Sequence, residues 1–289
     1  MFLLFIFLLA PGAIARWAPD VNVSVGTYIL DGQVDSNNEL FPYAAYIERT
    51  TDTSVLMCSG SLVSATHVVT AAHCLDPSNP AGLAIRIRGD WFQASSVHVP
   101  DDFDRDFLDR HGGASNDIGI IELDRPSDVP PVSLPRSSML AAGTRAYTAG
   151  FGGDGSELSY ALVDVRSDCP SGFVDQFCAG GTDGSACTGD SGGPVVLETD
   201  DGDVLVGLTS WGSADCSAGF AYYTSVVEHA DDLEKWMGIS INIEGNHNTV
   251  VIGNNGNGNE IPSATGILET GAHVIDNIVT GIGCLVFGC

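Results

Sequence analysis

The stretch TGDSGGP, residues 188–194, places Ser191 among glycines. A serine in a tight, glycine-rich turn is exposed to a substrate, as a nucleophile must be. Because Gly189 has no Cβ atom, its backbone N–H group can approach a substrate oxygen closely. The stretch therefore predicts Ser191 as a nucleophile, with the backbone amides of Gly189 and Ser191 as an oxyanion hole.

Two shorter motifs come before this stretch, TAAHC at residues 70–74 and NDI at residues 116–118. A serine hydroxyl is a poor nucleophile at neutral pH, and His73 is a base that can take and return its proton. Asp117 can hold the imidazole in the required tautomer and stabilise the imidazolium. The order His73, Asp117, Ser191 is one of three in which the serine-hydrolase triad recurs, so we predict these residues as a catalytic triad.

In this order the three motifs resemble those of the trypsin/chymotrypsin-type serine proteases. The resemblance implies an all-β, chymotrypsin-like fold of two six-stranded antiparallel β-barrels with the active site between them. Short apolar stretches separated by turn residues also indicate an all-β protein. Examples of such stretches are residues 61–69, 118–123, 195–197 and 204–209. Apolar residues at helical spacing between Val226 and Met237 predict one C-terminal amphipathic helix.

The same resemblance implies how a substrate is bound. The segment Ser210-Trp211-Gly212 matches the one that pairs with a substrate backbone as an added antiparallel strand. Ser185, six residues before the nucleophile, matches the base of the primary specificity pocket, with Ala186 and Gly212 as apolar walls and Ala221 narrowing it. A neutral serine cannot pair with a buried cationic side chain. We therefore expect a chymotrypsin-like preference for Tyr, Phe, Trp or Leu.

An activation step is implied at the stretch ILDG, residues 29–32. In the family, a cut before such a stretch frees an ammonium group that pairs with the acid preceding the nucleophile. Here the ion pair would join Ile29 and Asp190, and Asp31 departs from the glycine usual at its position. The bond cut would follow Tyr28, a residue that an apolar pocket would accept, so activation could be autocatalytic.

Eight cysteines fit an oxidising compartment, and the sequence alone does not assign their pairing. The resemblance implies three disulfides and leaves two cysteines close enough to close a small loop. These four pairs are Cys58–Cys74, Cys169–Cys178, Cys187–Cys216 and Cys284–Cys289.

The chain divides into four predicted parts. Residues 1–15 form a signal peptide, with an apolar run too short to span a bilayer and an A-x-A cleavage site. Residues 16–28 form a short propeptide, and residues 29–240 form the protease domain. Residues 241–289 form a tail rich in Asn and Gly that has little to bury and is expected to be a flexible linker. A lipid anchor and an adhesive module are the alternatives for this tail.

The balance of charged residues limits the kinds of molecule that the protein can bind. Thirty-seven acidic residues face eleven basic ones, a formal net charge of −26 at pH 7. So large an acidic excess argues against nucleic acids and anionic membranes as partners, and it favours solubility. We expect a secreted, extracellular monomer that takes protein or peptide substrates and meets protein inhibitors, with no cofactor. The acids of the family's calcium loop are missing around residues 86–96, so we expect no metal there.

Two functions from different classes remain open. The first is a secreted serine endopeptidase that acts through a His-Asp-Ser triad and an acyl-enzyme. The alternative is a catalytically idle protease homologue that acts as a binding protein or inhibitor, because a fold does not by itself imply an activity. Homologues of the second kind usually replace a triad residue, whereas this chain retains all three.

Overall fold

The computed structural model describes residues 29–239, except positions 30, 52, 154, 171, 172, 182, 183, 214, 215 and 217. The described part consists mainly of antiparallel strands joined by short turns. Its first seven strands are β1 (Gln33–Asp35), β2 (Ala44–Thr50), β3 (Val55–Ser64), β4 (His67–Thr70), β5 (Leu83–Ile87), β6 (Asp90–His98) and β7 (Gly119–Leu123). The next six are β8 (Arg145–Gly150), β9 (Leu158–Arg166), β10 (Gln176–Gly180), β11 (Pro194–Thr199), β12 (Gly202–Gly212) and β13 (Ala221–Ser225).

Strands β2 to β7 form the first closed barrel, in the order β2-β3-β4-β7-β6-β5. Side chains alternate between its interior and its surface, as the two-residue repeat of a strand requires. Along β5, for example, Leu83, Ile85 and Ile87 are completely buried, and the residues between them are partly exposed. This alternation fills the barrel with aliphatic side chains.

Strands β8 to β13 form the second barrel, in the order β8-β9-β10-β13-β12-β11. The barrel closes because β8 pairs both with β11 and with β9. Strand β1 adds to its outside through β9, with Gln33 opposite Tyr160. The prediction of two six-stranded antiparallel barrels is therefore confirmed.

Two short α-helices accompany the barrels, α1 (Arg105–His111) and α2 (Ala230–Met237). Helix α2 follows a 3₁₀ turn at Val227–His229 and confirms the predicted C-terminal helix. Sequence analysis did not predict α1. Its start is capped by Asp104, whose carboxylate accepts the Phe107 amide at 2.8 Å, and its end by Gly112 at φ +76°.

The apolar stretch at residues 61–69 forms a hairpin and not one continuous strand. Strand β3 ends at Ser64 and β4 begins at His67. The Ser64 hydroxyl accepts the backbone N–H of Thr66 at 3.2 Å and lies 2.7 Å from His67 Nδ1. These local hydrogen bonds satisfy the backbone of the turn and reverse the chain.

Three of the four predicted disulfides are present, namely Cys58–Cys74, Cys169–Cys178 and Cys187–Cys216. The fourth, Cys284–Cys289, lies outside the described residues, as do the predicted signal peptide, the propeptide and the tail. Neither helix of the described part is long and apolar enough to cross a membrane.

Candidate active site

His73 lies in a 3₁₀ turn, Ala72–Cys74, that follows β4 of the first barrel. The side chain of Arg105, the first residue of α1, holds this turn from outside. Its guanidinium donates to the carbonyl oxygens of His73 at 2.9 Å, Ala72 at 3.1 Å and Leu75 at 2.7 Å. The disulfide of Cys74 ties the same turn to β3, so the backbone beneath the imidazole is fixed on two sides.

Asp117 comes just before β7 and is completely buried. One carboxylate oxygen lies 2.8 Å from His73 Nδ1, and the other accepts the backbone N–H of His73 at 3.0 Å. The Ser210 hydroxyl donates to the first of these oxygens at 2.6 Å. The structure thus brings together Asp117 and His73, two of the predicted triad residues, in the geometry that orients an imidazole.

The protonation of Asp117 is set by a balance of opposing effects. Burial by itself would raise the pKa of this carboxyl. The charge and hydrogen bond of His73, together with the hydrogen bond from Ser210, outweigh burial and hold the pKa of Asp117 below its ordinary value. Asp117 is therefore an anion at neutral pH, which is the form that can stabilise an imidazolium.

Ser191 is partly exposed, and its loop is fastened to both barrels. From β3 of the first barrel, the backbone N–H of Ser59 donates to the Ser191 carbonyl at 2.8 Å, and the Ser59 hydroxyl donates to the Gly189 carbonyl at 3.1 Å. From β12 of the second barrel, the Thr209 carbonyl accepts the Gly192 N–H at 2.7 Å. Cys74 Sγ lies 3.7 Å from the Ser191 carbonyl, which places the serine loop beside the turn that carries the histidine.

Two glycines of this loop are required by geometry. Gly189 has φ +93°, and a Cβ atom there would come within 2.8 Å of the Gly152 backbone. Gly192 has φ +76°, and a Cβ atom there would come within 2.0 Å of the Thr70 hydroxyl. Both conformations are ones that residues with a side chain rarely adopt. Both positions therefore require glycine, and the constraint on Gly192 was not foreseen from the sequence.

The residues predicted to form the specificity pocket are mostly buried. Ser185, Ala186 and Ala221 have at most 6% of their surface exposed. Ala186 and Ala221 belong to one buried apolar cluster of the second barrel. Gly212 pairs with Ala221 between β12 and β13, and a Cβ atom on this glycine would lie 3.5 Å from the Ala221 side chain. All four residues are small, and none of them carries a charge.

Asp190 is completely buried beside the nucleophile loop. Its two carboxylate oxygens accept the backbone N–H groups of Gly152 at 3.0 Å and Cys187 at 2.8 Å. Burial raises the pKa of Asp190 to about 7, although these two amides favour its charged form. Ile29 is also completely buried, and its carbonyl accepts the Gly32 amide at 2.8 Å.

Asp31 has φ +60°, a left-handed conformation that is easiest for glycine and tolerated by aspartate. This conformation gives a physical reason for the glycine that the resemblance leads one to expect at this position. The departure from the family pattern is therefore accommodated with the backbone in its left-handed form.

Several residues that support Asp117 were missed by sequence analysis. The Thr224 hydroxyl donates to the Asp117 carbonyl at 3.0 Å. Asp175 accepts the backbone N–H of Asn116 at 2.7 Å and lies 3.1 Å from His229 Nε2. Thr224, a polar residue in the fully buried strand β13, was the one local signal. Asp175 and His229 gave none, because their partners are distant in sequence.

Three side chains of the kinds that commonly bind metals lie together at the site, but they do not suit a metal ion. Donor atoms of Cys58, His73 and Cys74 lie within 4.8 Å of one another. The two cysteines form a disulfide, so they cannot supply the thiolates that bind metals.

Comparisons with known proteins agree with this geometry. A family model described as Trypsin matches residues 29–236. The CLIP domain-containing serine protease B4 of Anopheles gambiae is 30% identical over 260 residues, which cover 74% of this chain and 71% of that protein. Trypsin delta of Drosophila melanogaster is 30% identical over 238 residues, which cover 72% of this chain and 88% of that protein.

Two further matches extend the picture. Glucanase inhibitor protein 1 of Phytophthora infestans is 34% identical over 194 residues, which cover 59% of this chain and 73% of that protein. A solved structure of HL collagenase has a TM-score of 0.61 at 23% identity, and the match covers 73% of this chain and all of that one. At this identity the structure supports the fold alone. With the family model covering both barrels and the two protease relatives at 30% identity, the chain belongs to the trypsin family of serine proteases.

Proposed function

We propose that the chain is a secreted serine endopeptidase that uses Ser191, His73 and Asp117 to hydrolyse peptide bonds through an acyl-enzyme. The observation that carries this proposal is the buried Asp117 carboxylate 2.8 Å from His73 Nδ1, in a family member that retains all three motifs. Such a carboxylate fixes the imidazole with its other nitrogen free to serve as a base.

The proposed reaction has two stages. Ser191 Oγ attacks the carbonyl carbon of the scissile bond while His73 Nε2 takes the hydroxyl proton. Asp117 stabilises the imidazolium, which returns the proton to the leaving amine as the C–N bond breaks. The amides of Gly189 and Ser191 donate to the oxyanion. His73 then deprotonates a water molecule that attacks the acyl-serine ester. The acyl C–O bond breaks, His73 returns the proton to Ser191 Oγ, and the acid is released.

The pocket supports a preference for large apolar side chains. Ser185 brings no charge to the base of the pocket, and Ala186 and Ala221 add small apolar surfaces. An Arg or Lys side chain would be desolvated there without an anionic partner, which is costly. We assign cleavage after Tyr, Phe, Trp or Leu to this protein.

Secretion and activation complete the proposal. The three disulfides suit an oxidising compartment, in agreement with a signal peptide at residues 1–15. The propeptide, residues 16–28, would be removed by a cut between Tyr28 and Ile29. The freed ammonium of Ile29 would then pair with Asp190. This pair would give the buried carboxylate a counter-charge and offset the cost of burying it.

The second candidate function is that of a protein inhibitor or binding protein. The relationship to glucanase inhibitor proteins 1 and 3 of Phytophthora infestans, 34% and 32% identical, favours keeping it. A glycoside hydrolase would then be the partner. Binding of a purified glucanase by the Ser191→Ala protein, in the absence of any hydrolysis by wild type, would favour this candidate over the first.

Changing Ser191 or His73 to Ala should lower kcat on a peptide substrate by about 10⁶-fold, because nucleophile and base act as a unit. Fluorophosphonate labelling followed by mass spectrometry of the modified peptide should place the label on Ser191. Ser95→Ala and His111→Ala, both exposed, are matched controls that should retain activity. Near-wild-type hydrolysis by purified Ser191→Ala would refute the assignment.

A peptide library read by mass spectrometry should show cleavage after large apolar residues and little after Arg or Lys. Changing Ser185 to Asp should move the preference toward Arg and Lys, because the new carboxylate supplies the missing partner charge. Ser185→Ala is the matched control and should keep the apolar preference. A dominant Arg/Lys preference in wild type would show that the pocket is misassigned.

Active wild-type protein should begin at Ile29, as N-terminal sequencing would establish. If activation is autocatalytic, Ser191→Ala should keep the residues before Ile29. Added wild-type enzyme should then convert this variant to the shorter form, since the cleavage site itself is unchanged. Active wild type that begins at Arg16 would contradict the role of the Ile29 ammonium.

In the uncut chain, Asp190 should make stability fall as pH rises between about 4 and about 7. Burial raises its pKa from 3.8 to about 7, so the folded state holds more protons than the unfolded state between these values. The free energy of unfolding then declines with rising pH, by up to about 1.4 kcal/mol per pH unit. Urea unfolding of Ser191→Ala should show this decline relative to Ser191→Ala/Asp190→Asn. Parallel profiles would contradict it.

A further inference from the structure

Gln176, the first residue of β10, connects three parts of the candidate active site through one side-chain amide. Its nitrogen lies 3.0 Å from the Ala114 carbonyl and 3.2 Å from the Ser210 hydroxyl. Its oxygen lies 2.9 Å from the indole nitrogen of Trp211. The side chain therefore lies between the loop that leads to Asp117 and the β12 segment assigned to substrate binding.

The partners of the Gln176 amide fix the direction of each hydrogen bond that runs from Trp211 through Gln176 and Ser210 to Asp117. The Trp211 indole N–H is only a donor and the Ala114 carbonyl only an acceptor, so the amide oxygen of Gln176 must face the indole. The amide nitrogen then directs its second hydrogen at the Ser210 oxygen. Ser210 has one hydroxyl hydrogen, and it is directed at the Asp117 carboxylate 2.6 Å away.

We propose that Gln176 is a positioning residue that sets the Ser210 hydroxyl as a donor to Asp117 and fixes the Trp211 indole within the β12 segment assigned to substrate binding. The inference rests on the proposed peptidase function and goes beyond the triad. It couples the Asp117–His73 pair to the surface that receives the substrate backbone.

The first arm of this coupling acts on catalysis. Without Gln176, the Ser210 hydroxyl could rotate and donate elsewhere, and Asp117 would lose one of its donors. That donor is one of the groups that keep the buried carboxylate ionised. A less firmly ionised Asp117 stabilises the His73 imidazolium less in the transition state, so kcat should fall.

The second arm acts on binding of extended substrates. The Trp211 indole stacks on the Tyr222 ring with centroids 3.9 Å apart. A Cβ atom on Gly113 would come within 2.6 Å of the indole, so the chain before Asp117 passes directly against it. The Gln176 amide oxygen accepts the indole N–H, which is the one polar group of this side chain. Loss of this bond should weaken binding of peptides that lie along β12.

The neighbouring residue supports the same assignment. Asp175 is buried and accepts the backbone N–H of Asn116, which has φ +59°. Residues 175 and 176 thus contact the chain at positions 114 and 116, on the segment that leads into Asp117. The start of β10 therefore supports the segment that carries Asp117. Gln176 extends this support to Ser210 and Trp211, in the segment assigned to substrate binding.

The test compares Gln176→Met with wild type on two substrates. Methionine keeps the length of the side chain and removes both donors and the acceptor. Gln93→Met is the matched control, because Gln93 is an exposed residue of β6 in the first barrel. The substrates are a single-residue tyrosine ester, which fills only the primary pocket, and a peptide that extends several residues upstream along β12.

Gln176→Met should lower kcat about 10-fold on both substrates and raise KM about 5-fold on the peptide alone, per active site titrated with a fluorophosphonate. Gln93→Met should match wild type. A purely structural role would lower the melting temperature and leave the titrated kcat and KM unchanged. That result, or a kcat within 2-fold of wild type, would overturn the proposal.

A double-mutant cycle with Ser210→Ala tests the route of the effect. Once the hydroxyl is absent, Gln176→Met should lower kcat less than 2-fold further, because its action runs through Ser210. An equal 10-fold loss with and without Ser210 would overturn the proposal. Should Gln176→Met not fold, Gln176→Leu removes the same hydrogen bonds and is measured in the same way.

The wild-type activity distinguishes failure of the peptidase function from failure of the role of Gln176. If wild type itself neither hydrolyses the ester nor reacts with the fluorophosphonate, the peptidase function is wrong, and the role of Gln176 falls with it. If wild type is active and Gln176→Met equals it, only the role of Gln176 is wrong.

Discussion

The buried carboxylate of Asp117 is the constraint on which the site depends. An isolated charge at a fully buried position costs several kcal/mol unless it is hydrogen-bonded. Here the donors come from both halves of the molecule, with His73 belonging to the first barrel and Ser210 to the second. Packing of the two barrels therefore brings His73 and Ser210 to the Asp117 carboxylate and favours its charged form. The hydrogen bonds between Asp117 and His73 also orient the imidazole.

The nucleophile loop obeys the same logic. It belongs to the second barrel, yet Ser59 from the first barrel donates to it with both its backbone and its hydroxyl. Gly192 passes so close to Thr70 that no side chain fits. Close approach of the two barrels therefore requires glycine at position 192, and it places Ser191 at their boundary.

Family membership and activity remain separate questions for this fold. The relatives include proteases and glucanase inhibitor proteins at similar identity, so the backbone alone does not select between them. Chemistry depends on three side chains and on the hydrogen bonds that aim them. The proposed role of Gln176 extends that dependence from the triad to the residues that hold it.

Short local motifs were enough to indicate the triad candidates, because each motif is a contiguous run with its own chemistry. The family that these motifs resemble implied the barrels and three disulfides, and the spacing of apolar residues predicted the C-terminal helix. Tertiary structure alone decided the contacts of Arg105, Asp175 and Gln176 with the site. Arg105 and Gln176 lie 32 and 34 residues from the site partners they contact, His73 and Ser210. A hydrogen bond between distant residues leaves no local pattern, so it exists only once the chain has folded.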